Sequence, residues 1–292
     1  MKGEEHLWGI LNDKLDTLRA TNHMAEAIRL GQSALEIAKR SFGAGDIRLA
    51  LSYEKLGLLH EQNGDRAGAK AYLVNAHRLL ARMRPADDEA IFRSSRRLGQ
   101  LCNELGHTEE AIDFYEQAVA ATIQLPNLPF SDLGALLNNV ALSCRKAGRA
   151  TAAEPYYLRA LQIYEAQLGP EHPDVASVLN NLGVFYTNEK RFTEAEQVHL
   201  RALAIREKAF PASHPDIAQS KCNLAVVYHS RGDYERASEL YRASLQAWEE
   251  AMAKPPEEYE IVAANYADLL RSLGKARKAH ALESRVHKKR HG

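Results

Sequence analysis

The stretch His172-Pro173-Asp174-Val175-Ala176-Ser177-Val178-Leu179-Asn180-Asn181-Leu182-Gly183-Val184-Phe185-Tyr186 has a partner further along the chain. His214-Pro215-Asp216-Ile217-Ala218 repeats its opening, and Asn223, Leu224, Ala225 and Tyr228 follow in step, an offset of 42 from position 172 to position 214. A fixed period of this size is the mark of a repeat array. Stepping by the same 42 from Ala195 meets Ala27, Ala69, Ala111, Ala153, Ala237 and Ala279, so all seven positions are alanine. A second column reads Gly64, Gly106, Gly148, Gly232 and Gly274, broken by Asn22 and Lys190. A third reads Gly57, Gly99, Ala141, Gly183, Ala225 and Ala267, with Leu15 as its exception.

Each period reads as two helices. From Asp174 to Asn188 the apolar Val175, Val178, Leu179, Leu182 and Tyr186 recur at helical spacing, with Pro173 and Asp174 suited to a first turn. From Phe192 to Phe210, Ala195, Val198, Ala202 and Ile205 form one stripe, and Pro211 ends it. The glycine column falls in the turn between the two, where a positive φ is needed. The alanine column falls where a larger side chain would push two helices apart. One helix pair cannot bury its apolar face alone, so neighbours must stack. The expected fold is all-α, an α-solenoid in the form of a right-handed superhelix of seven antiparallel helix pairs. Its repeats fall at residues 4–45, 46–87, 88–129, 130–171, 172–213, 214–255 and 256–292, one repeat domain over residues 1–292 with no room for another.

Leu182, Gly183, Tyr186, Ala195 and Ala202, echoed by Leu98, Gly99, Cys102, Ala111 and Ala118, resemble the tetratricopeptide repeat signature. The 42-residue period, the His-Pro-Asp opening and Leu179 to Gly183 resemble the kinesin-light-chain type in particular. The resemblance covers essentially the whole chain and implies a peptide- or protein-binding solenoid. It is far less specific for function, since such repeats host many binding roles. Repeat 1 departs from it with Lys14, Leu15 and Gly31, and repeat 7 with Tyr266 and Glu283, as expected of terminal caps. The heptad-rich segment by which the kinesin-light-chain family joins its motor subunit is absent.

Composition removes several other classes. Thirty-eight Lys and Arg balance thirty-eight Asp and Glu, which leaves no bulk attraction for nucleic acid or anionic lipid. No run approaches a membrane span, nothing after Met1 reads as a signal peptide, and Cys102, Cys144 and Cys222 form no disulfide framework or metal spacing. A cytoplasmic chain without cofactor or metal is expected, with no catalytic constellation. The twelve histidines show no ligand spacing, and His229 alone points toward the ligand side. His-Pro-Asp is read as a helix start, and Arg231-Gly232-Asp233 as a repeat turn. Lys288-Lys289-Arg290 is a short basic helix end.

Ligand contacts are expected on the groove-facing side of the first helix of each pair. The position of Asn181 reads Asp13, Lys55, Arg97, Asn139, Asn181, Asn223 and Asn265 along the chain. The position before it reads Asn12, Glu54, Arg96, Asn138, Asn180, Cys222 and Ala264, which puts Cys222 in the groove as an accessible thiol. Asparagine is a poor residue for a helix interior, and its amide offers the donor and acceptor that hold an extended peptide backbone. In the resembling families, asparagines at this position grip the peptide main chain. The peptide-binding set is therefore Asn138, Asn139, Asn180, Asn181, Asn223 and Asn265, with Lys55, Arg96, Arg97 and Arg145 as cations for acidic side chains or a carboxylate. Arg93 and Lys146 extend the cationic patch. Two alternatives stay open: the asparagines bond the neighbouring helix within the stack, and Glu54, Glu61 and Glu104 neutralise the cations.

The leading functional reading is a non-catalytic protein–protein interaction module that takes a peptide segment of a partner protein. The others are a self-assembling structural scaffold, driven by Leu7, Trp8 and Leu11, and a peptide-responsive regulator. Partners are a protein or peptide ligand, without nucleic acid or membrane insertion, and the chain itself is a monomer or self-associates weakly.

Overall fold

Helix starts and stops are set by side chains that meet the orphan backbone groups of each terminus. The carboxylates of Asp46, Asp65, Asp87 and Asp233 accept from the backbone N–H of Arg48, Gly68, Ala90 and Arg236 at 2.9, 2.9, 2.9 and 3.3 Å, each cap being worth about 1 kcal/mol. His172 and His214 cap in the same way. The Nδ1 of each accepts from the N–H of Asp174 and Asp216 at 3.2 Å, with proline in the first turn. The His-Pro-Asp tripeptide is thus a helix start.

The structure, a computed structural model, describes residues 2–43, 45–252 and 256–291. Among them are fourteen α-helices and no strand, so the fold is all-α and of the α-solenoid class. None of these helices is long and apolar enough to cross a membrane. The chain divides into two compact units, residues 1–149 and 150–292.

Unit 1 holds α1 (Lys2–Ala20), α2 (Met24–Ser41), α3 (Ile47–Gln62), α4 (Arg66–Leu80), α5 (Asp88–Glu104), α6 (Thr108–Ala121) and α7 (Phe130–Lys146), with a 3₁₀ turn over Thr122–Gln124. α1 packs on α2, α3 on α4 and α5 on α6, and each pair meets the next through α2–α3, α4–α5 and α6–α7. Unit 2 holds α8 (Ala150–Leu168), α9 (Pro173–Asn188), α10 (Phe192–Ala209), α11 (Pro215–Ser230), α12 (Tyr234–Ala251), α13 (Glu257–Ser272) and α14 (Ala276–His291). Here α9 packs on α10, α11 on α12 and α13 on α14, while α8 rests on α9. One continuous core of unit 2 runs from Leu203 through Tyr241 and Trp248 to Val286.

The three columns explain this packing. All seven column alanines are 0% exposed, so none has room for another methyl group. Every residue of the turn column has positive φ, from 70° to 82° at the five glycines, and Asn22 (62°) and Lys190 (59°) adopt the same conformation. The backbone therefore keeps its period where the glycine is lost. In the third column a Cβ added to Gly57 would lie 2.6 Å from Leu73, and one added to Gly99 or Gly183 would lie 2.5 Å from Tyr115 or His199. In these three pairs a large residue on the second helix thus fills the space left by a missing one on the first.

Arg231-Gly232-Asp233 is a turn, with Gly232 left-handed and Asp233 the cap of α12. In the C-terminal basic run, Lys289 pairs with Glu249 at 2.7 Å; the side chain of Arg290 lies outside the described residues. Trp8, expected on the surface, is half-buried instead. Its indole donates to Ser52 Oγ at 2.8 Å and meets Phe42 edge-on at 5.9 Å, because the ring has an apolar body and one donor to satisfy.

Candidate functional site

Stacking of pairs places the first helices next to one another: α5 touches α7 in unit 1, and α11 touches both α9 and α13 in unit 2. Their neighbouring positions carry most of the residues in question.

In unit 1, Lys55 on α3 donates to Asp16 on α1 at 2.7 Å. Arg97 on α5 donates through Nε and Nη2 to Glu61 on α3 at 3.0 and 2.8 Å. Arg96, also on α5, donates to Asp132 on α7 at 2.6 Å and lies over the Phe92 ring at 5.3 Å. Each of the three cations is thus tied to a carboxylate on the adjacent first helix. These pairs are part-exposed and add little stability, and they leave the face far less cationic than the column alone implies. Arg145 on α7 is half-buried, and its Nε has no hydrogen-bond partner. Asn138 and Asn139 on α7 are half-buried. The Asn139 carbonyl accepts from Ser143 Oγ, which in turn accepts from Asn103 on α5, both at 2.8 Å.

In unit 2 two members of the asparagine set bond each other. Asn223 Nδ2 on α11 donates to Asn180 Oδ1 on α9 at 2.8 Å, and Gln219 Nε2, one turn earlier, donates to Asn223 Oδ1 at 2.9 Å. Asn181 on α9 and Asn265 on α13 are half-buried. His229 on α11 is half-buried too, and burial lowers its pKa.

Cys222 requires a correction. The groove reading made it an accessible thiol, whereas it is 3% exposed. Burial pushes its pKa up to about 12, against a smaller opposing effect of a hydrogen bond from Asn265. In the same column Asn12 is buried as well, Glu54 and Arg96 are half-exposed, and Ala264 is exposed. Cys102 and Cys144 are buried as expected.

Clasps tie the second helices α8 and α10 to the first helices α9 and α11 that follow them. Tyr186 Oη donates to Glu154 at 2.9 Å, and Arg191 donates to the same carboxylate at 2.8 Å. Arg191 first, and then Tyr186, hold Glu154 below the usual carboxylate range. One period on, Tyr228 donates to Glu196 at 2.8 Å, and Arg231 pairs with that same Glu196.

Three features escaped the sequence. Gln219 had an available signal, since it stands four residues before Asn223 on one helix face. Asp132 had none, because its pairing with Arg96 crosses 36 positions. The third is a hollow of about 610 Å³ in unit 1, between α5 and the connector from α6 to α7. Phe92, Arg93, Arg96, Gln124, Leu125 and Asn127 are among its walls.

A tetratricopeptide repeat family model matches residues 132–208, 174–250 and 216–288, and a second one matches residues 97–122. No curated protein matches the chain. Among solved structures the chain is similar to BtubC (BKLC) from P. vanneervenii, at 26% identity over 77% of this chain and 90% of that one, with a TM-score of 0.59. It shares its fold with the apo quorum sensor NprR from B. thuringiensis, at 14% identity over 98% and 76%, TM-score 0.64. It shares it also with a Rap protein solved in complex with competence and sporulation factor, at 15% identity over 97% and 77%, TM-score 0.61.

Proposed function

The chain belongs to the tetratricopeptide repeat family, and from that premise we propose that it is a non-catalytic interaction module that takes a peptide segment of a partner protein. The observation that carries this reading is the row of half-buried amides on adjoining first helices of unit 2: Asn180, Asn181, Asn223 and Asn265. Helix interiors select against asparagine, so a run of four amides at adjoining positions on three successive first helices needs a use. The bond between Asn180 and Asn223 occupies one donor and one acceptor of a pair that has more of each. Side-chain amides of this kind suit the N–H and C=O of an extended backbone. Asn138 and Asn139 offer the same chemistry in unit 1. Lys55, Arg96, Arg97 and Arg145 would meet acidic side chains, the first three by exchanging their present carboxylate partners for those of the ligand. The fold supports binding of this kind, since the Rap protein that shares it was solved with a bound factor. Residence in the cytoplasm and the absence of a cofactor belong to the same proposal.

The test is a titration. A partner captured from native lysate is mapped to its bound segment, and the synthetic segment is titrated against the wild-type chain and an Asn181→Ala, Asn223→Ala double variant of unchanged helix content. A loss of affinity of roughly tenfold or more is expected for two backbone-gripping amides. Unchanged affinity overturns the assignment of these residues.

Self-assembly is supported by one observation, the exposure of Leu7 (46%) and Ile10 (48%) on α1. A sedimentation coefficient independent of concentration would remove it.

A further inference from the structure

The first and last helix pairs are finished differently. Leu7 on α1 stands in the column of Val175, Ile217 and Tyr259, which are 0% exposed, and Ile10 stands in that of Leu136, Val178 and Val262, which are 3% exposed or less. No counterpart of either residue in a later period is exposed. The cover comes from the second helix of the preceding pair, as where Val175 shares a packed cluster with Leu161 and Tyr164 of α8. Among the described residues no second helix precedes α1, and Leu7 and Ile10 are 46% and 48% exposed. Leu7 and Leu11 border a hollow of about 670 Å³ on α1 and α2, and Arg29, Gln32, Ser33 and Glu36 line its other side.

The last pair offers no such apolar face in return. Three periods after Leu161 and Tyr164 the same positions hold His287 and Arg290, and Glu260 stands where Ala176 and Ala218 are 0% exposed. Glu260, Glu283 and His287 line one hollow on α13 and α14. An end-to-end stack of copies would set Leu7 on His287 and Arg290 and take ionisable groups out of water, which is unfavourable. The apolar cover that this chain can supply is a second α1–α2 face, and the polar residues of that face complement themselves. Arg29, Gln32, Ser33 and Glu36 share one side of α2 at helical spacing. When two copies of α2 run antiparallel about the midpoint of Gln32 and Ser33, Arg29 of each meets Glu36 of the other, and Gln32 meets Ser33. Glu36 is held at present by Lys39 on its own helix at 2.8 Å, an exposed pair of little worth. Resting on the self-assembly reading above, we propose that two copies of this chain close on each other through α1 and α2 about a two-fold axis. Leu7, Ile10 and Leu11 are buried between them, Arg29 pairs with Glu36 at two equivalent places, and association ends at the dimer because a two-fold contact uses the same face of both copies.

Sedimentation velocity of the full chain from roughly 1 to 300 µM, the span of a small and weak interface, reads the association. Monomer should pass to dimer with no larger species. A Leu7→Ser, Ile10→Ser double variant should stay monomeric. Arg29→Glu alone and Glu36→Arg alone should each weaken the dimer roughly tenfold, since each sets like charges together at two contacts. An equimolar mixture of these two single variants should dimerise as the wild type does, because opposite charges meet again at both contacts. All four side chains are exposed, so circular dichroism should show every variant folded. A dimer that survives Leu7→Ser, Ile10→Ser overturns this face while self-assembly stands, and so does a mixture that associates no better than its components. Growth to larger species overturns the closed two-fold. A monomer at every concentration overturns both this proposal and the self-assembly reading, and the peptide-binding reading, tested at Asn181 and Asn223, is untouched by any of these results.

Discussion

Leu15 and Gly31 have exchanged the sizes that their counterparts carry one period later, where Gly57 lies beneath Leu73. A Cβ added to Gly31 would come within 3.1 Å of Leu15 Cδ1 and 2.9 Å of Leu56 Cδ2, while one added to Gly57 would reach Leu73 Cγ at 2.6 Å. Both arrangements fill one gap between a first and a second helix. The large side chain comes from α1 in the first pair and from the second helix in those that follow.

Exchange of the two residues back should therefore show coupling. Leu15→Gly should cost about 2–5 kcal/mol through the cavity it leaves, and Gly31→Leu about 1–3 kcal/mol through overpacking. The double variant should be more stable than the sum of the two by at least about 1 kcal/mol in a denaturant-melt cycle. Strict additivity would show that the two side chains do not share the space.

Lys190 stands in the turn column with φ of 59°. A residue with a Cβ pays about 1 kcal/mol or more for the left-handed conformation, and glycine does not. Lys190→Gly should raise the melting temperature by a few degrees. Asn22→Gly should gain less, since asparagine tolerates this region better. A fall in melting temperature for Lys190→Gly would mean that the lysine side chain is doing more than the backbone demands.

His199 is 0% exposed and fills the space over Gly183, as Tyr115 does over Gly99. Burial first, and then the nearby Arg206, lower its pKa to about 4. An unfolded chain would protonate it near 6.5, so between 6.5 and about 4 the unfolded state binds the extra proton. The stability is fully present above pH 6.5 and is lost as pH falls through this window, on the order of 3 kcal/mol in all. His199→Tyr, which places here the residue found at positions 115 and 241, should flatten the slope. Melting temperatures at pH 4.5, 5.5, 6.5 and 7.5 measure the difference between the two profiles.

Asn180 and Asn223 offer a way to separate packing from binding. Asn180→Ala and Asn223→Ala should each cost about 1 kcal/mol of stability, with a coupling of about 0.5–1 kcal/mol, the net worth of a neutral hydrogen bond. Asn181→Ala should weaken ligand binding more than it weakens the fold. If Asn181→Ala destabilises without changing affinity, that asparagine is part of the stack.

The fold was legible because its contacts are periodic. Each column alanine meets the same kind of neighbour, so one constraint is written seven times, and the turn survives at Asn22 and Lys190 because the flanking helices impose it. The helix limits at Phe192 and Pro211 were legible for the same local reasons. The site was less so. Whether Arg97 is free depends on where Glu61 reaches from another helix, and the burial of Cys222 depends on its surroundings, in a column where Asn12 is also buried and Ala264 is exposed. The bond between Asn180 and Asn223 spans one period plus a single residue, a diagonal that columns read straight down do not reveal. The wall from Gln124 to Pro129 has no counterpart in the other periods, and repeat comparison carries no information about it.

The clasps of Tyr186 on Glu154 and of Tyr228 on Glu196 have a genetic corollary. The two junctions are interchangeable, so misaligned recombination within the gene that removes one whole period from unit 2 would bring Tyr228 to Glu154 and rejoin like to like. Loss or gain of anything but whole periods would set a tyrosine against the wrong partner. A gene of this kind can change its reach in whole steps while every surviving seam stays as it was, which makes length the trait most easily altered in its descendants.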